Sequence, residues 1–124
     1  MPVTTPQIAL EGLTFECIIG VHPHERTTPQ PLWVDVRFDW DFTAAAQTDD
    51  LTHTVDYAAV AQSIEDFATQ GQFNLLETLA QRLARHLCQQ FGLTRIYLRI
   101  GKPNAVPKAN AAVVSLEYTV EAHP

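Results

Sequence analysis

Basic residues are scarce in this sequence, which has eight lysines and arginines against fourteen acidic residues and a formal net charge of −6. A protein that binds nucleic acid presents a basic surface to the phosphates, so this balance argues against a nucleic-acid partner. It also argues against an anionic membrane surface, which attracts clustered lysine and arginine. A local basic pocket is still compatible with this composition, so phosphorylated substrates are excluded only weakly.

Long apolar runs are also missing. No stretch of about 18 consecutive apolar residues occurs, so no transmembrane helix is expected. Residues 1–6 lack the basic start and the apolar centre of a signal peptide. We therefore expect a cytoplasmic protein, in which Cys17 and Cys88 are buried reduced thiols rather than a disulfide.

Several common catalytic motifs are absent. The sequence contains no P-loop, no Gly-x-Gly-x-x-Gly fingerprint and no Gly-x-Ser-x-Gly elbow. Neither Ser63 nor Ser115 has a paired histidine nearby in the sequence. These absences argue against a P-loop NTPase, a Rossmann-type dehydrogenase and a serine hydrolase.

The histidines provide little support for a metal site. His22 and His24 form a His-x-His pair, which can ligate zinc. A third ligand would have to be His53 or His86, and neither lies in a metal-binding motif. The two cysteines offer no paired ligand spacing, so we expect no metal and no other cofactor.

Alternating hydrophobicity predicts four strands in a single domain that spans residues 1–124. The alternation is strictest over residues 32–42, where one face is apolar and the other is largely charged. A loop at residues 20–31 precedes this strand. The predicted strands lie at residues 7–19, 32–42, 95–100 and 113–120.

Apolar spacing of three and four residues predicts two helices between the second and third strands. The first runs from Tyr57 to about Thr69, with Asp56 as its N-cap. The second runs from an N-cap at Asn74 to about residue 91, and Gly92 ends it. The element order is therefore ββααββ, an α+β arrangement with a four-stranded antiparallel sheet.

The predicted sheet has exposed surfaces that favour assembly. Two helices can cover only one face of four strands, and the edge strands carry no lysine-rich protection against pairing with another chain. We therefore expect a homo-oligomer that pairs sheet edges between subunits.

Four short segments carry the most distinctive residues. Glu25 lies in GVHPHER, Tyr57 ends DDLTHTVDY, Glu77 lies in FNLLETLA and Lys102 lies in GKPNA. In this order and spacing the segments resemble the dihydroneopterin aldolase family of folate biosynthesis, and the resemblance runs from about residue 8 to residue 118. It implies the tunnelling fold, in which four subunits join their sheets into one barrel. Many members stack two barrels as an octamer, with active sites between neighbouring subunits.

Each of these residues also has an ordinary structural interpretation. Glu77 would complete a capping box with Asn74. Tyr57 would be a half-buried packing residue in the first turn of a helix, Lys102 a solvated lysine at a strand end, and Glu25 a charged loop residue.

The resemblance implies a pterin-binding role for several positions. Glu77, with the backbone of Leu76, would bind the flat edge of the pterin ring at its 2-amino and N3 positions. Glu25 would contact the hydroxylated side chain of the substrate, and the backbone of Val55 would line the pterin site.

The resemblance also implies the reaction. Lys102 would be the main proton-transfer group, acting as acid and base and not through a Schiff base, with help from Tyr57 across the subunit interface. The dihydropterin imine would accept the electrons when the side-chain carbon–carbon bond breaks. The 2′-hydroxyl proton would be removed, glycolaldehyde would leave and 6-hydroxymethyl-7,8-dihydropterin would form, and re-addition could give the epimer dihydromonapterin.

Two other functions remain open from the sequence. An epimerase of dihydroneopterin triphosphate would need basic residues near the substrate side chain, and only Arg26 and Lys108 are candidates. A non-catalytic oligomer that binds pterin or purine would need Glu77 but not Tyr57 or Lys102. The last strand, AAVVSLEY, lacks the glycines and the final arginine of many family members, which leaves the substrate preference open.

Overall fold

The computed structural model describes residues 5–121. The expectation that no signal peptide is present rests on residues 1–6, of which 1–4 lie outside the described residues, as do residues 122–124. The strands are β1 (Gln7–Cys17), β2 (Gln30–Asp39), β3 (Arg95–Pro103) and β4 (Ala111–Thr119), and the helices are α1 (Thr43–Thr48), α2 (Tyr57–Gly71) and α3 (Leu76–Phe91). Short 3-10 turns lie at Pro23–Arg26 and Leu51–His53.

The four strands form one antiparallel sheet in the order β1-β2-β3-β4. Val34 of β2 pairs with Ile100 of β3, and Leu98 of β3 pairs with Leu116 of β4, so apolar side chains continue across the strands on one face. The predicted α+β class and the four-stranded antiparallel sheet are confirmed.

The apolar face of the sheet is buried under the two long helices. α2 contacts β1, whereas α3 contacts β3 and β4. The central strands contribute side chains that are at most 2 % exposed, and fully burying each one is worth about 1.5–3 kcal/mol. These residues are Leu32, Val34, Val36, Phe38, Ile96, Leu98 and Ile100.

The opposite face of the sheet carries arginines stacked on aromatic rings. The Arg37 guanidinium lies 4.3 Å from the centre of the Tyr97 ring, and that of Arg99 lies 5.5 Å from the Trp33 ring. No described helix packs on this side. The sequence predicts this, because two helices can cover only one face of a four-stranded sheet.

The observed helix ends match the predicted ones only in part. Asp56 caps α2, because its carboxylate accepts from the Ala58 N–H at 3.0 Å, and Gly92 ends α3 with a φ of +66°. The predicted N-cap at Asn74 is wrong: Leu75 occupies that position, and no side chain caps the helix. The capping box between Asn74 and Glu77 is therefore not formed.

Two strands are shorter than predicted. β1 ends at Cys17, and β2 ends at Asp39, which pairs with the first residue of β1. Beyond that pair one backbone hydrogen bond follows, from the Trp40 N–H to the Pro6 carbonyl at 3.1 Å. The Trp40 indole N–H donates to the His53 carbonyl at 3.3 Å, and Phe42 leads into the unpredicted helix α1.

Both cysteines are buried and unbridged, as expected. Burial raises the pKa of each thiol, Cys17 and Cys88, to about 11. Between residues 5 and 121, no helix combines the length and the apolar character needed to cross a membrane.

Candidate active site

A cavity of about 250 Å³ opens at the end of the sheet where β1 and β3 finish and β2 and β4 begin. Its walls come from the loop after β1, the connection between α2 and α3, and the β3–β4 hairpin. The lining residues are Ile19, Gly20, Val21, His22, Glu25, Asn74, Leu75, Leu76, Lys102, Ala105 and Ala112. Three of the six predicted site residues are among them.

Glu25 is placed by the 3-10 turn that follows β1. As the third residue of that turn, its Oε1 accepts from the His22 backbone N–H at 3.2 Å and so caps the turn from within. Gly20 makes room for the carboxylate, because a Cβ there would lie 2.3 Å from Glu25 Cδ and its φ is +128°. Glu25 is consequently only 7 % exposed, which is unusual for a loop glutamate.

Lys102 meets Glu25 inside the cavity, although the two residues are 77 positions apart. The Lys102 ammonium donates to Glu25 Oε2, and the two side chains are 12 % and 9 % exposed. The Gln30 amide also donates to Oε2, at 3.0 Å, and to the Ile19 carbonyl at 2.9 Å. The hydrogen bond from Lys102, followed by that from Gln30, lowers the pKa of Glu25 from 4.5 to about 2. Glu25 is therefore a carboxylate at neutral pH.

The start of α3 supplies the other wall. Leu76 is the first residue of this helix and lines the cavity, and Asn74 lines it from the preceding connection. Glu77 is the second helical residue and is exposed, with no lining contact. Its carboxylate lies in the first turn, where the unpaired backbone N–H groups favour an anion.

Tyr57 and Val55 lie at the opposite end of the fold. Tyr57 is the first residue of α2, and the 15 residues of that helix, at a rise of about 1.5 Å each, span roughly 22 Å before the α2–α3 connection begins. The contact between Trp40 and His53 places the segment before Val55 at the end of β2 remote from Gln30. Val55 is buried, whereas Tyr57 is 61 % exposed.

Three cavity features had no sequence signal. Gln30 precedes the alternating part of β2 and matches no motif, yet it orients Glu25. By sequence Arg26 is a candidate cation for a substrate phosphate, but its guanidinium donates to backbone carbonyls. Cys17 lies near enough to Lys102 that the ammonium partly offsets the rise in the pKa of the thiol. Each contact depends on segments that meet only in the folded chain.

A serine–histidine contact exists elsewhere in the molecule. Ser63 Oγ lies 3.2 Å from His86 Nε2 and donates to Gln90 Oε1 at 2.6 Å. The His86 ring stacks on Phe67 with ring centres 4.6 Å apart. Within residues 5–121, no hydrogen bond joins His86 to a carboxylate, so the group that orients the base of a hydrolytic triad is missing.

The His22 and His24 rings stack in parallel, with their centres 5.9 Å apart. No third histidine, cysteine or carboxylate joins them in the described part of the chain, where no group of three such side chains could hold a metal ion.

Comparison with known proteins identifies close relatives of the whole fold. A family model described as FolB, dihydroneopterin aldolase, matches residues 8–119. The chain is 34% identical over 103 residues to a dihydroneopterin aldolase of Haemophilus influenzae, covering 83% of this chain and 87% of that protein. It is 30% identical over 110 residues to that of Escherichia coli K12, covering 89% and 90%. The crystal structure of the E. coli enzyme in complex with neopterin matches with a TM-score of 0.87 and 29% identity, covering 91% of this chain and 98% of that one.

Proposed function

Because the chain belongs to the dihydroneopterin aldolase family, we propose that its cavity binds 7,8-dihydroneopterin and that Lys102 moves the protons of a retro-aldol cleavage. The chain would then be a carbon–carbon lyase of folate biosynthesis. The observation that carries this assignment is the buried Glu25–Lys102 pair, set in a cavity wall beside the first turn of α3.

The first turn of α3 is suited to hold the pterin ring. Leu76 lines the cavity and Glu77 follows it on the same turn. The Glu77 carboxylate accepts two parallel hydrogen bonds from the 2-amino group and N3–H of the ring, and the Leu76 backbone completes the contact. A relative of this fold has been crystallised with neopterin, which supports a pterin as the ligand.

Lys102 and Glu25 are suited to the proton transfers. The amine form of Lys102 takes the 2′-hydroxyl proton through a water and becomes an ammonium, the C1′–C2′ bond breaks and glycolaldehyde leaves. The electron pair enters the ring imine, and a proton returned by Lys102 to C1′ gives 6-hydroxymethyl-7,8-dihydropterin. Glu25, ionised at neutral pH, stabilises the ammonium that forms at Lys102.

The charge of the cavity favours an unphosphorylated substrate over dihydroneopterin triphosphate. Lys102 is the only lysine or arginine among the lining residues, and Glu25 already neutralises it. The Arg26 guanidinium is engaged with backbone carbonyls. Re-addition of glycolaldehyde through its other face would give dihydromonapterin without any additional residue.

A complete site requires a second copy of the chain. Tyr57 and Val55 lie roughly one helix length from Lys102 in the same chain and can reach a cavity only in a neighbour. β1 and β4 are the edges of the sheet, with 11 and 9 residues, and can pair head to tail. Each copy, as one domain of residues 1–124, would contribute four strands to a tetrameric barrel, and two barrels would stack as an octamer.

The test is to incubate the purified protein with 7,8-dihydroneopterin in EDTA and separate the pterin products by chromatography. We expect 6-hydroxymethyl-7,8-dihydropterin, and none from Lys102→Gln under the same conditions. Conversion of the triphosphate to its epimer, with no cleavage of the free substrate, would overturn the proposal. Tight pterin binding without any turnover would indicate a non-catalytic binding protein.

A further inference from the structure

Arg26 joins two segments that are distant in the sequence. Its Nη1 donates to the carbonyls of Gly20 and Phe73, both at 3.1 Å, and its Nη2 donates to the carbonyl of Gln72 at 2.7 Å. The Gly20 N–H also donates to the Phe73 carbonyl, at 3.3 Å. One planar guanidinium thus satisfies three carbonyl oxygens at the junction of these segments.

Those two segments continue into two walls of the cavity. Gly20 begins the loop that carries Glu25, the partner of Lys102. Gln72 and Phe73 lead directly into the connection whose end, Leu76, begins α3. The spacing between the proton-transfer pair and the helix turn that holds the ring therefore depends on where these segments meet.

The contact is specific for arginine. A guanidinium has five N–H donors in a rigid plane, so it can bond several carbonyls at fixed angles, whereas a lysine ammonium is a point charge on a flexible stem. Gln72 is also the C-cap of α2, with a φ of +46°, and a cation is favoured beside the partial negative charge at a helix C-terminus. Arg26 is itself half-buried, which strengthens these charge-assisted bonds.

From this geometry we propose that Arg26 is a positioning residue for the aldol cleavage. It holds the Glu25 loop at a set distance from the start of α3, so that a ring bound at Glu77 and Leu76 presents its side chain to Lys102. Arg26 does not touch the substrate. This inference rests on the proposed function.

Loss of the contact would affect substrate alignment more than folding. In Arg26→Ala the two walls keep only the backbone bond between Gly20 and Phe73. A misplacement of about 1 Å can cost roughly a hundredfold in rate, so we expect kcat/KM to fall by about tenfold to a hundredfold, with KM raised and kcat lowered. Arg26→Lys should retain part of the activity, because it keeps the charge but not the planar donors.

Arg82→Ala is the matched control. The Arg82 guanidinium also contacts Phe73, over whose ring it lies at 5.7 Å, but no hydrogen bond from it to either wall occurs among the described residues. The Arg82→Ala variant should have a kcat/KM within about twofold of that of the unmodified protein. Added guanidinium at millimolar concentration should raise the kcat/KM of Arg26→Ala and not that of Arg82→Ala.

The measurement is steady-state cleavage of 7,8-dihydroneopterin by the assembled full chain, together with the midpoint of thermal unfolding. A fall in kcat/KM with raised KM, partial retention in Arg26→Lys and rescue by guanidinium would support the positioning role. Unchanged kinetics in Arg26→Ala, or a loss of kcat alone in proportion to unfolded protein, would overturn it. If the unmodified chain does not cleave the substrate, the proposed function itself fails, which is a separate result.

Discussion

The two ends of the sheet differ in how complete they are within one chain. At one end Glu25 and Lys102 are buried together, with Gln30 and Arg26 holding the surrounding loops. At the other end Tyr57 is 61 % exposed at the start of α2 and lies far from that pair. One end holds a buried ion pair, and the other presents a phenol to solvent.

This difference fits the proposal that the site is divided between copies. A buried ion pair needs its partner in the same folding unit, because an unpaired buried charge costs several kcal/mol. An exposed tyrosine has no such cost, so it can remain in solvent until a neighbouring chain contacts it. If the ends of adjacent subunits meet, each assembled site combines the Glu25–Lys102 end of one copy with the Tyr57 end of the next.

The largest loss of activity should come from a change at the end of the sheet that holds Glu25 and Lys102. Lys102→Gln removes the proposed proton-transfer group, and we expect kcat/KM for 7,8-dihydroneopterin to fall about a thousandfold, because general acid–base groups contribute about 10²–10⁴. Pterin binding, followed by fluorescence titration, should change only a few fold. Lys108→Gln, in the exposed turn of the same hairpin, is the control and should retain full activity. Full turnover in Lys102→Gln would remove this residue from the mechanism.

Tyr57→Phe tests the exposed end and should lower kcat by about a hundredfold, because it removes only the hydroxyl that is proposed to assist proton transfer. Mixing this variant with Lys102→Gln in equal amounts, after dissociation and reassembly, should restore activity. About one quarter of the sites would then combine an intact Lys102 with a neighbour's intact Tyr57. A mixture no more active than its parts would place both residues in one subunit or remove Tyr57 from the site.

A third comparison concerns stability at acid pH. The folded-state pKa of Glu25 is depressed to about 2 from an ordinary 4.5, so its contribution to the free energy of unfolding is present above pH 4.5 and is lost as the pH falls toward 2. At one pKa unit per 1.36 kcal/mol the full contribution is about 3 kcal/mol, of which about 2 kcal/mol should disappear between pH 6 and pH 3.

Denaturant unfolding of the unmodified protein and of Glu25→Gln at both pH values would measure this loss. The stability gap between the two proteins should narrow on acidification, since their other carboxyl groups titrate alike. A gap that stays constant from pH 6 to pH 3 would contradict the depressed pKa.

A fourth comparison concerns the reactivity of the two thiols. Cys17 beside Lys102 and Cys88 in α3 both have a pKa near 11, so few thiolates exist at pH 8. Alkylation by iodoacetamide in the native state should be about a hundredfold slower than in denaturant. Rapid native alkylation of Cys17 alone, read by mass spectrometry, would show that the cavity end opens more often than the helix layer.

Much of the fold could be predicted because its determinants are local. Alternation along β2 and β3 reports a strand with one buried face, and Asp56 and Gly92 mark helix ends through contacts within a few residues. The errors occurred where a distant partner decides the outcome. β2 stops at Asp39 because β1 begins opposite it, and α3 begins after Leu75 although Asn74 is the better N-cap residue by type.

The candidate site was predicted more by resemblance than by local chemistry. Lys102 and Glu25 each have an ordinary interpretation as a surface residue, and no periodicity brings together positions 77 residues apart. The same limit applies to Ser63 and His86, which meet across two helices and lie 23 residues apart. Side-chain pairing of this kind follows from tertiary packing and leaves no pattern in a short stretch of sequence.

The sequence by itself determined the number and order of the main elements, the buried face of the sheet and the residues with the chemistry for proton transfer, because these depend on residue type and spacing along the chain. The tertiary structure alone decided that Glu25 is buried with a lowered pKa, that Gln30 donates to it while Arg26 joins its loop to the α2–α3 connection, and that Tyr57 lies at the far end of α2. These properties depend on which segments meet in space, since burial and hydrogen bonding set the charge state of a carboxyl group, and helix length sets how far apart two side chains stand.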